Sequence, residues 1–273
     1  MDCLYINLAS AVQRKINLEN NFHKNQRPGW TLSRIAAVDT EFVKSQNVAG
    51  GCSAPEKACF LSHKKAIGLN PDDRKSAFIL EDDALFGAQS CAIIDDTLKK
   101  NRDLDWDILY TDVCIPTAAT MLDLIKLRQT LAQTNRISLM DLSKMAFAGA
   151  TAYIVNAKSK RKVFELLDAE AAINVPYDLV LRNLIFASSL KGFTLFPFVT
   201  SLSDLSESSQ IQKTDAQVTA LVWNTFRKMI WTERNLGDCR AALASIEASL
   251  GDDESKAFSV LFSAMASAKY KTL

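Results

Sequence analysis

The 273-residue chain has two histidines, His23 and His63, and its six cysteines form no C-x-x-C pair. A conventional His/Cys zinc set therefore cannot be read from it. Its longest apolar runs are short and strand-like, well under the roughly 20 residues that a membrane-spanning helix needs. Phosphate loops are missing too: "VAGGCS" has neither G-x-G-x-x-G spacing nor a following Gly-Lys-Ser. Charge of one sign is also lacking, since 32 Lys and Arg against 31 Asp and Glu leave a net +1. Nothing general draws the chain to nucleic acid or to acidic membranes, so a charged ligand must be met locally. The opening "MDCLYINLAS" has no basic segment and no long apolar segment of a secretion signal. The expectation is a reduced, cytoplasmic protein with free thiols, with peripheral contact on the inner face of a membrane left open.

About 48% of the residues are hydrophobic, enough to bury a full core. Short apolar runs alternate with helical patterns through residue 200. "CLYINL", "LSRIAAVD", "SAFIL", "DILYTDV" and "ATAYIV" read as five strands, and a helical stretch runs from Gln13 to His23. Most of these strands are continuously apolar, as strands buried on both faces are. The fold class expected is α/β, a mostly parallel sheet covered by helices. From Thr214 onward only helical spacing appears, and the serine-rich "TSLSDLSESSQIQK" before it reads as a loop. The expected division is a domain over 1–212 and a helical extension over 213–273.

"SAFILEDDALFG" places Glu81, Asp82 and Asp83 directly after a buried run. In an open α/β sheet, ligands bind beyond the carboxyl ends of the strands, which is where these acids fall. Adjacent carboxylates raise one another's pKa unless a positive charge intervenes, and a divalent cation with hard oxygen ligands is the usual one. A solvated acidic loop with a helix-capping Asp explains the acids alone equally well. A phospho-accepting receiver, suggested by "FILEDD" with "WDILYTDVCIP", fails on spacing. The interval from Leu80 to Leu109 holds about one strand-helix-strand unit of roughly 30 residues, where a receiver needs two crossovers. Upstream, "SAPEKACFLSHKKAIG" is a helix legible from both ends, with Ser53 and Glu56 as a capping box, Pro55 in its first turn and Gly68 closing it. His63 shares an apolar stripe with Cys59 and faces inward, as a core residue or a cleft support. Ser62 is its chain neighbour and points elsewhere on the helix, which argues against a Ser-His nucleophile.

Taken in order, "YINLASAVQRK", "RIAAVDTEF", "ACFLSHKKAI", "AFILEDDALF", "WDILYTDV", "FAGATAYIVNAKSKRKVF" and "PYDLVL" resemble glycosyltransferase family 25. This is the family of bacterial lipooligosaccharide galactosyltransferases and collagen galactosyltransferases. The resemblance runs from about residue 3 to residue 212 and leaves the helical tail outside it. It implies a GT-A fold, a UDP-sugar donor, commonly UDP-galactose, a Mn²⁺ or Mg²⁺ ion held by an acidic motif at a strand end, and inversion at the sugar carbon.

On that resemblance Asp83 with Asp82 would hold the metal, and Glu81 would orient the loop. Asn7, Leu8 and Arg14 would lie against the uridine and its phosphates, Asp39 near the base or ribose, and Ser62 and His63 along the pocket. Asp178 in "NVPYDLVL" would take the acceptor proton, against the plain alternative of a first-turn acid favoured by the helix dipole. Asp112 is the second candidate. Ser208, Ser209 and Gln210 would approach the donor. The acceptor implied is a saccharide, lipid-linked on a bacterial surface, with a protein or another glycan as the alternative. A non-catalytic sugar-nucleotide binder is the reading from another class. In the tail, Val222, Phe226 and Met229 form an apolar row with Trp223 and Ile230 beside it, and Arg227, Lys228 and Arg234 fall in the polar spaces. Such a helix packs on its own domain, pairs two subunits in a homodimer, or lies on a membrane.

Overall fold

The computed structural model describes residues 1–69, 75–134, 136–203, 217–248 and 253–265. In chain order the elements are β1 (Asp2–Asn7), α1 (Val12–Asn25), β2 (Thr31–Ala36), α2 (Thr40–Ser45), α3 (Ala54–Ile67), β3 (Ala77–Glu81), β4 (Ala84–Phe86), α4 (Ser90–Lys100) and β5 (Ile108–Tyr110). There follow α5 (Ala118–Thr134), β6 (Ser138–Asp141), β7 (Ala152–Val155), α6 (Lys160–Asp168), α7 (Tyr177–Phe186), β8 (Gly192–Phe196), β9 (Thr200–Leu202), α8 (Gln217–Ile230), α9 (Leu236–Ala248) and α10 (Asp253–Met265).

Continuous apolar strands need cover on both faces, and they have it. Along β1, Cys3 and Tyr5 pack with Leu18 and Phe22 of α1 and Ile94 of α4, while Leu4 and Ile6 face the layer holding Phe60, Ala66 and Ile67 of α3. The main sheet has seven strands in the order β2-β1-β3-β7-β5-β8-β6. Five run the same way, and the class is α/β as expected. β7 runs antiparallel to both β3 and β5, and β6 antiparallel to β8. The run "AYIV" is apolar read from either end, so its direction is not visible in the sequence. A separate ribbon pairs β4 with β9, Ala84 opposite Leu202 and Phe86 opposite Thr200. The α3 helix is closed at its start as anticipated: the Glu56 carboxylate accepts from the Ser53 N–H at 2.8 Å and from the Ser53 hydroxyl at 2.6 Å.

The α8 helix joins the core of the sheet. Val222, Phe226, Met229 and Ile230 are buried in one cluster with Tyr110, Phe147 and Phe198. Arg227, assigned to a polar space by helical spacing, is instead buried on the same side. Its Nη2 and Nε both donate to Asp112 Oδ2, Nε at 3.1 Å, and Nη2 also reaches Thr151 Oγ1 at 3.0 Å. Thr200 Oγ1 donates to the other Asp112 oxygen at 3.1 Å. A buried guanidinium with a matched carboxylate is tolerated because each removes the other's unpaired charge. The turn after α8 is stitched down as well. Trp231 Nε1 donates to the Val199 carbonyl at 3.3 Å and the Thr232 N–H to the Phe198 carbonyl at 2.8 Å. The Glu233 carboxylate accepts from the N–H groups of Ala88 and Gln89, at 2.9 and 2.7 Å, and so caps the start of α4 from 145 and 144 residues away. Among the described residues no helix is long and apolar enough to cross a membrane.

The Arg227–Asp112 pair sets a measurable expectation. Arg227→Met alone leaves a buried carboxylate uncompensated and destabilises the fold by about 3–5 kcal/mol, whereas Arg227→Met with Asp112→Leu recovers most of that loss. Urea unfolding of the two variants checks it, and an equal loss in both would contradict the pairing.

Candidate active site

The chain leaves β1 for β2 through α1 on one face, then crosses back to β3 through α3 on the other. Strand order therefore reverses between β1 and β3, and a crevice opens beyond their carboxyl ends. A cleft of about 790 Å³ occupies it. Its walls are the end of β1 and start of α1 (Asn7 to Arg14), the loop from Ala37 to Glu41, the inner side of α3, and Glu81, Asp82 and Asp83. The start of α1 borders this space. Its N-cap residue is Ala11, no side chain caps it, and its first turn carries no acid. Open N–H groups and the positive end of the helix dipole thus border the cleft.

Two basic residues organise the acids. Arg14 forks across them, with Nε 2.8 Å from Asp82 Oδ1 and Nη2 2.7 Å from Asp83 Oδ2. Arg34, a lone charge inside β2, grips Asn7 twice, Nε to Oδ1 and Nη2 to the backbone carbonyl, both at 2.9 Å. Asn7 is thereby oriented to donate Nδ2 to Asp82 Oδ2 at 2.7 Å and to the Ala11 carbonyl at 3.1 Å. Asp83 is buried, and its Oδ1 finds no hydrogen-bond partner among the described residues.

One guanidinium does not neutralise three carboxylates. Burial first, then the charge of Glu81, raises Asp83 from 3.8 to about 7 against the pull of Arg14. Burial also raises Asp82, partly offset by Arg14 and by the Asn7 hydrogen bond. Glu81 goes the other way. Burial pushes it up, but the His63 hydrogen bond and charge, with Arg14 and Arg227 behind them, outweigh burial and hold it below its usual value.

His63 sits at the centre of a buried relay. Its Nε2 is 3.2 Å from Glu81 Oε1 and its Nδ1 is 2.9 Å from the Tyr153 hydroxyl, which is 2.6 Å from the Tyr177 hydroxyl. A carboxylate only accepts, so Nε2 donates to Glu81, while the direction of the Nδ1–Tyr153 and Tyr153–Tyr177 bonds follows the charge of the ring. The Tyr177 ring stacks on the imidazole at 4.1 Å and 8°. Cys59 Sγ lies with ligand atoms of His63 and Glu81 inside a 4.8 Å group, a set the sequence did not suggest. Burial, reinforced by Glu81, raises this thiol well above its usual value, and both imidazole nitrogens already have partners, so the group is satisfied without an ion.

A model of "Glycosyltransferase family 25 (LPS biosynthesis protein)" matches residues 1–181 of this chain. The chain belongs to glycosyltransferase family 25. That family is described by lipopolysaccharide biosynthesis. No curated protein matches it. Two solved structures of the glycosyltransferase GlyE from Streptococcus pneumoniae TIGR4 are distantly similar. The apo form is 7% identical with a TM-score of 0.37, and the second is 8% identical with a TM-score of 0.35. Each likeness covers 70% of this chain and 44% of GlyE, so this family 25 chain spans less than half of either.

In this family 25 cleft the structure brings together Asn7, Leu8, Arg14, Asp39, Ser62, His63, Glu81, Asp82 and Asp83. Several do something other than expected. Arg14 engages the acids, and Asn7 is buried behind them holding Asp82. Asp39 caps α2 by accepting from the Phe42 N–H at 2.7 Å. Ser62 is buried and supports the wall, accepting from the Val38 N–H at 2.8 Å and donating to the Ala58 carbonyl at 2.7 Å. Neither candidate base lines the cleft. Asp112 lies under Arg227, its side chain wholly buried, and anchors α8. Asp178, at the start of α7, accepts from the Gly149 N–H at 2.7 Å, fixing a glycine whose φ of 84° favours a residue without Cβ. Ser208, Ser209 and Gln210 lie outside the described residues. Sequence reading passed over Arg34, Tyr153 and Tyr177. A charge inside a strand was the available signal for Arg34, and Tyr177 stood beside the more conspicuous Asp178.

The raised Asp83 has a consequence for stability. The native state keeps its proton where the unfolded chain has lost it, so the contribution is fully present below about pH 4 and is lost as pH rises to about 7. Melting curves without divalent ions should show Asp83→Asn gaining on the wild type across that window and holding a constant lead above it. A difference that does not vary with pH would contradict the burial argument.

Proposed function

We propose that this glycosyltransferase transfers a hexose, galactose being the first to test, from a UDP-sugar to a saccharide, with Mn²⁺ or Mg²⁺ held by Asp82 and Asp83. One observation carries the reading: a buried Asp83 oxygen without a partner among the described residues, beside Asp82 at the edge of a 790 Å³ cleft, in a cluster that Arg14 leaves short of positive charge. Two hard carboxylates with charge to spare and a vacant oxygen suit such an ion. When bound, the metal would supply Lewis-acid neutralisation of the leaving diphosphate, a term worth several kcal/mol of transition-state stabilisation.

The protein's own parts fit the rest of the donor. The cleft volume lies within the range of about 300–1,000 Å³ usual for small-molecule sites. The uncapped start of α1 places N–H groups and a helix dipole where a diphosphate would lie, as helix N-termini commonly do. Arg14 is positioned to let go of the acids and follow the phosphates. The relay from Tyr177 through Tyr153 and His63 fixes Glu81, and so fixes the strand end on which Asp82 and Asp83 stand. A lipid-linked bacterial glycan is the acceptor class we favour, on the family's description, and it would bring the protein to the inner face of a membrane.

UDP release from UDP-galactose, UDP-glucose and UDP-N-acetylglucosamine, with Mn²⁺ and with chelator, tests the proposal. Turnover of at least one donor should require the ion and fall at least a hundredfold in Asp83→Asn. Turnover that survives both chelator and Asp83→Asn would remove the metal from the account, and nucleotide binding without turnover of any donor would favour a non-catalytic binder.

A further inference from the structure

A second cavity, of about 430 Å³, lies on the other flank of the acidic loop, and Asp82 lines both spaces. Its floor is the β4–β9 ribbon, one side is α1, and the other is the corner between α8 and α9. Resting on the reading above, in which the large cleft takes the nucleotide, we infer that this cavity is the binding site for the acceptor saccharide.

Three observations identify the ligand as a neutral polyhydroxyl compound. Ser201 is fully buried, lines the cavity, and its hydroxyl has no partner among the described residues. Buried hydroxyls are rarely left so, and one bordering a cavity is matched by a ligand group that both donates and accepts, as a sugar hydroxyl does. Trp231 lines the same space, with its Nε1 held by the Val199 carbonyl, so its ring presents a fixed apolar surface beside polar groups. That pairing of a flat apolar face with a few placed polar atoms suits a sugar ring, which has an apolar C–H face and a rim of hydroxyls. Charge argues against a second nucleotide: the lining holds Asp82 and Asp238 against Lys228, with no cluster of cations for phosphate.

The site is also composite. Asp82 and Leu85 come from the part of the chain matching the family model, whereas Ser201, Trp231 and Asp238 lie beyond residue 181. Acceptor choice is thereby assigned to the late ribbon strand and the helical extension, while donor chemistry stays in the matched part. The stitches that hold Trp231 and Glu233 to the domain, and the buried Arg227, position this wall.

The experiment uses the full chain with two probes. Methyl β-glycosides of galactose, glucose and N-acetylglucosamine are followed by saturation-transfer NMR, and UDP with Mn²⁺ by thermal shift. At least one glycoside should bind the wild type. Trp231→Ala, Ser201→Val and the cavity-filling Leu85→Trp should each weaken it at least tenfold, Trp231→Phe should retain most of it, and all four should keep the wild-type UDP shift. Absence of glycoside binding in the wild type, or binding that persists in the first three variants, overturns the inference. Should one variant also lose the UDP shift, it is read as misfolded and the other two decide. A wild type that shows no UDP shift but loses glycoside in the variants would keep the saccharide cavity and discard the nucleotide reading.

Discussion

The structure turns on an imbalance of charge: Glu81, Asp82 and Asp83 crowd the end of β3, and among the described residues Arg14 pairs with Asp82 and Asp83. Around that imbalance the fold builds constraints. Arg34 orients Asn7 and Asn7 orients Asp82, while Tyr177, Tyr153 and His63 orient Glu81. Asp83 is left with an oxygen that nothing described in the protein satisfies. Buried polar groups are nearly always paired, and the proposed metal site rests on this oxygen. The reversal of strand order between β1 and β3 puts that oxygen beside a crevice, because there the two neighbouring connections leave on opposite faces of the sheet.

Much of this was legible beforehand, and for identifiable reasons. β1 and β3 are apolar runs whose burial on both faces shows directly in composition, whereas β2, read the same way, is an edge strand with only Ile35 buried; α3 carries its own start and stop signals in Ser53, Glu56 and Gly68. The acids were visible because three charges ended a buried strand. What escaped depends on distant partners. β7 is apolar in either direction, so only its neighbours decide that it runs antiparallel. The ribbon strands β4 and β9 are three residues each, too short for a periodic signal. Arg227 looked solvated by helical spacing, yet it is buried because Asp112, 115 residues earlier, is there to meet it. The same pairing buries Asp112 away from the cleft, which is visible only with the two residues side by side.

The helical extension is more than an appendage in this light. Its first helix completes the core, its turn caps α4 through Glu233, and its indole forms a wall beside Asp82. Such a plan separates two tasks physically. On the proposed reading, charge and hydrogen bonding around the acids would serve the nucleotide chemistry. On the further inference, shape beyond residue 181 would answer a particular acceptor.

Binding of Mn²⁺ in the presence of UDP, followed by electron paramagnetic resonance, tests the central claim most directly. The account predicts one Mn²⁺ site per chain that tightens when UDP is added and is lost in Asp83→Asn. Mn²⁺ binding indifferent to UDP, or unchanged in Asp83→Asn, would contradict it.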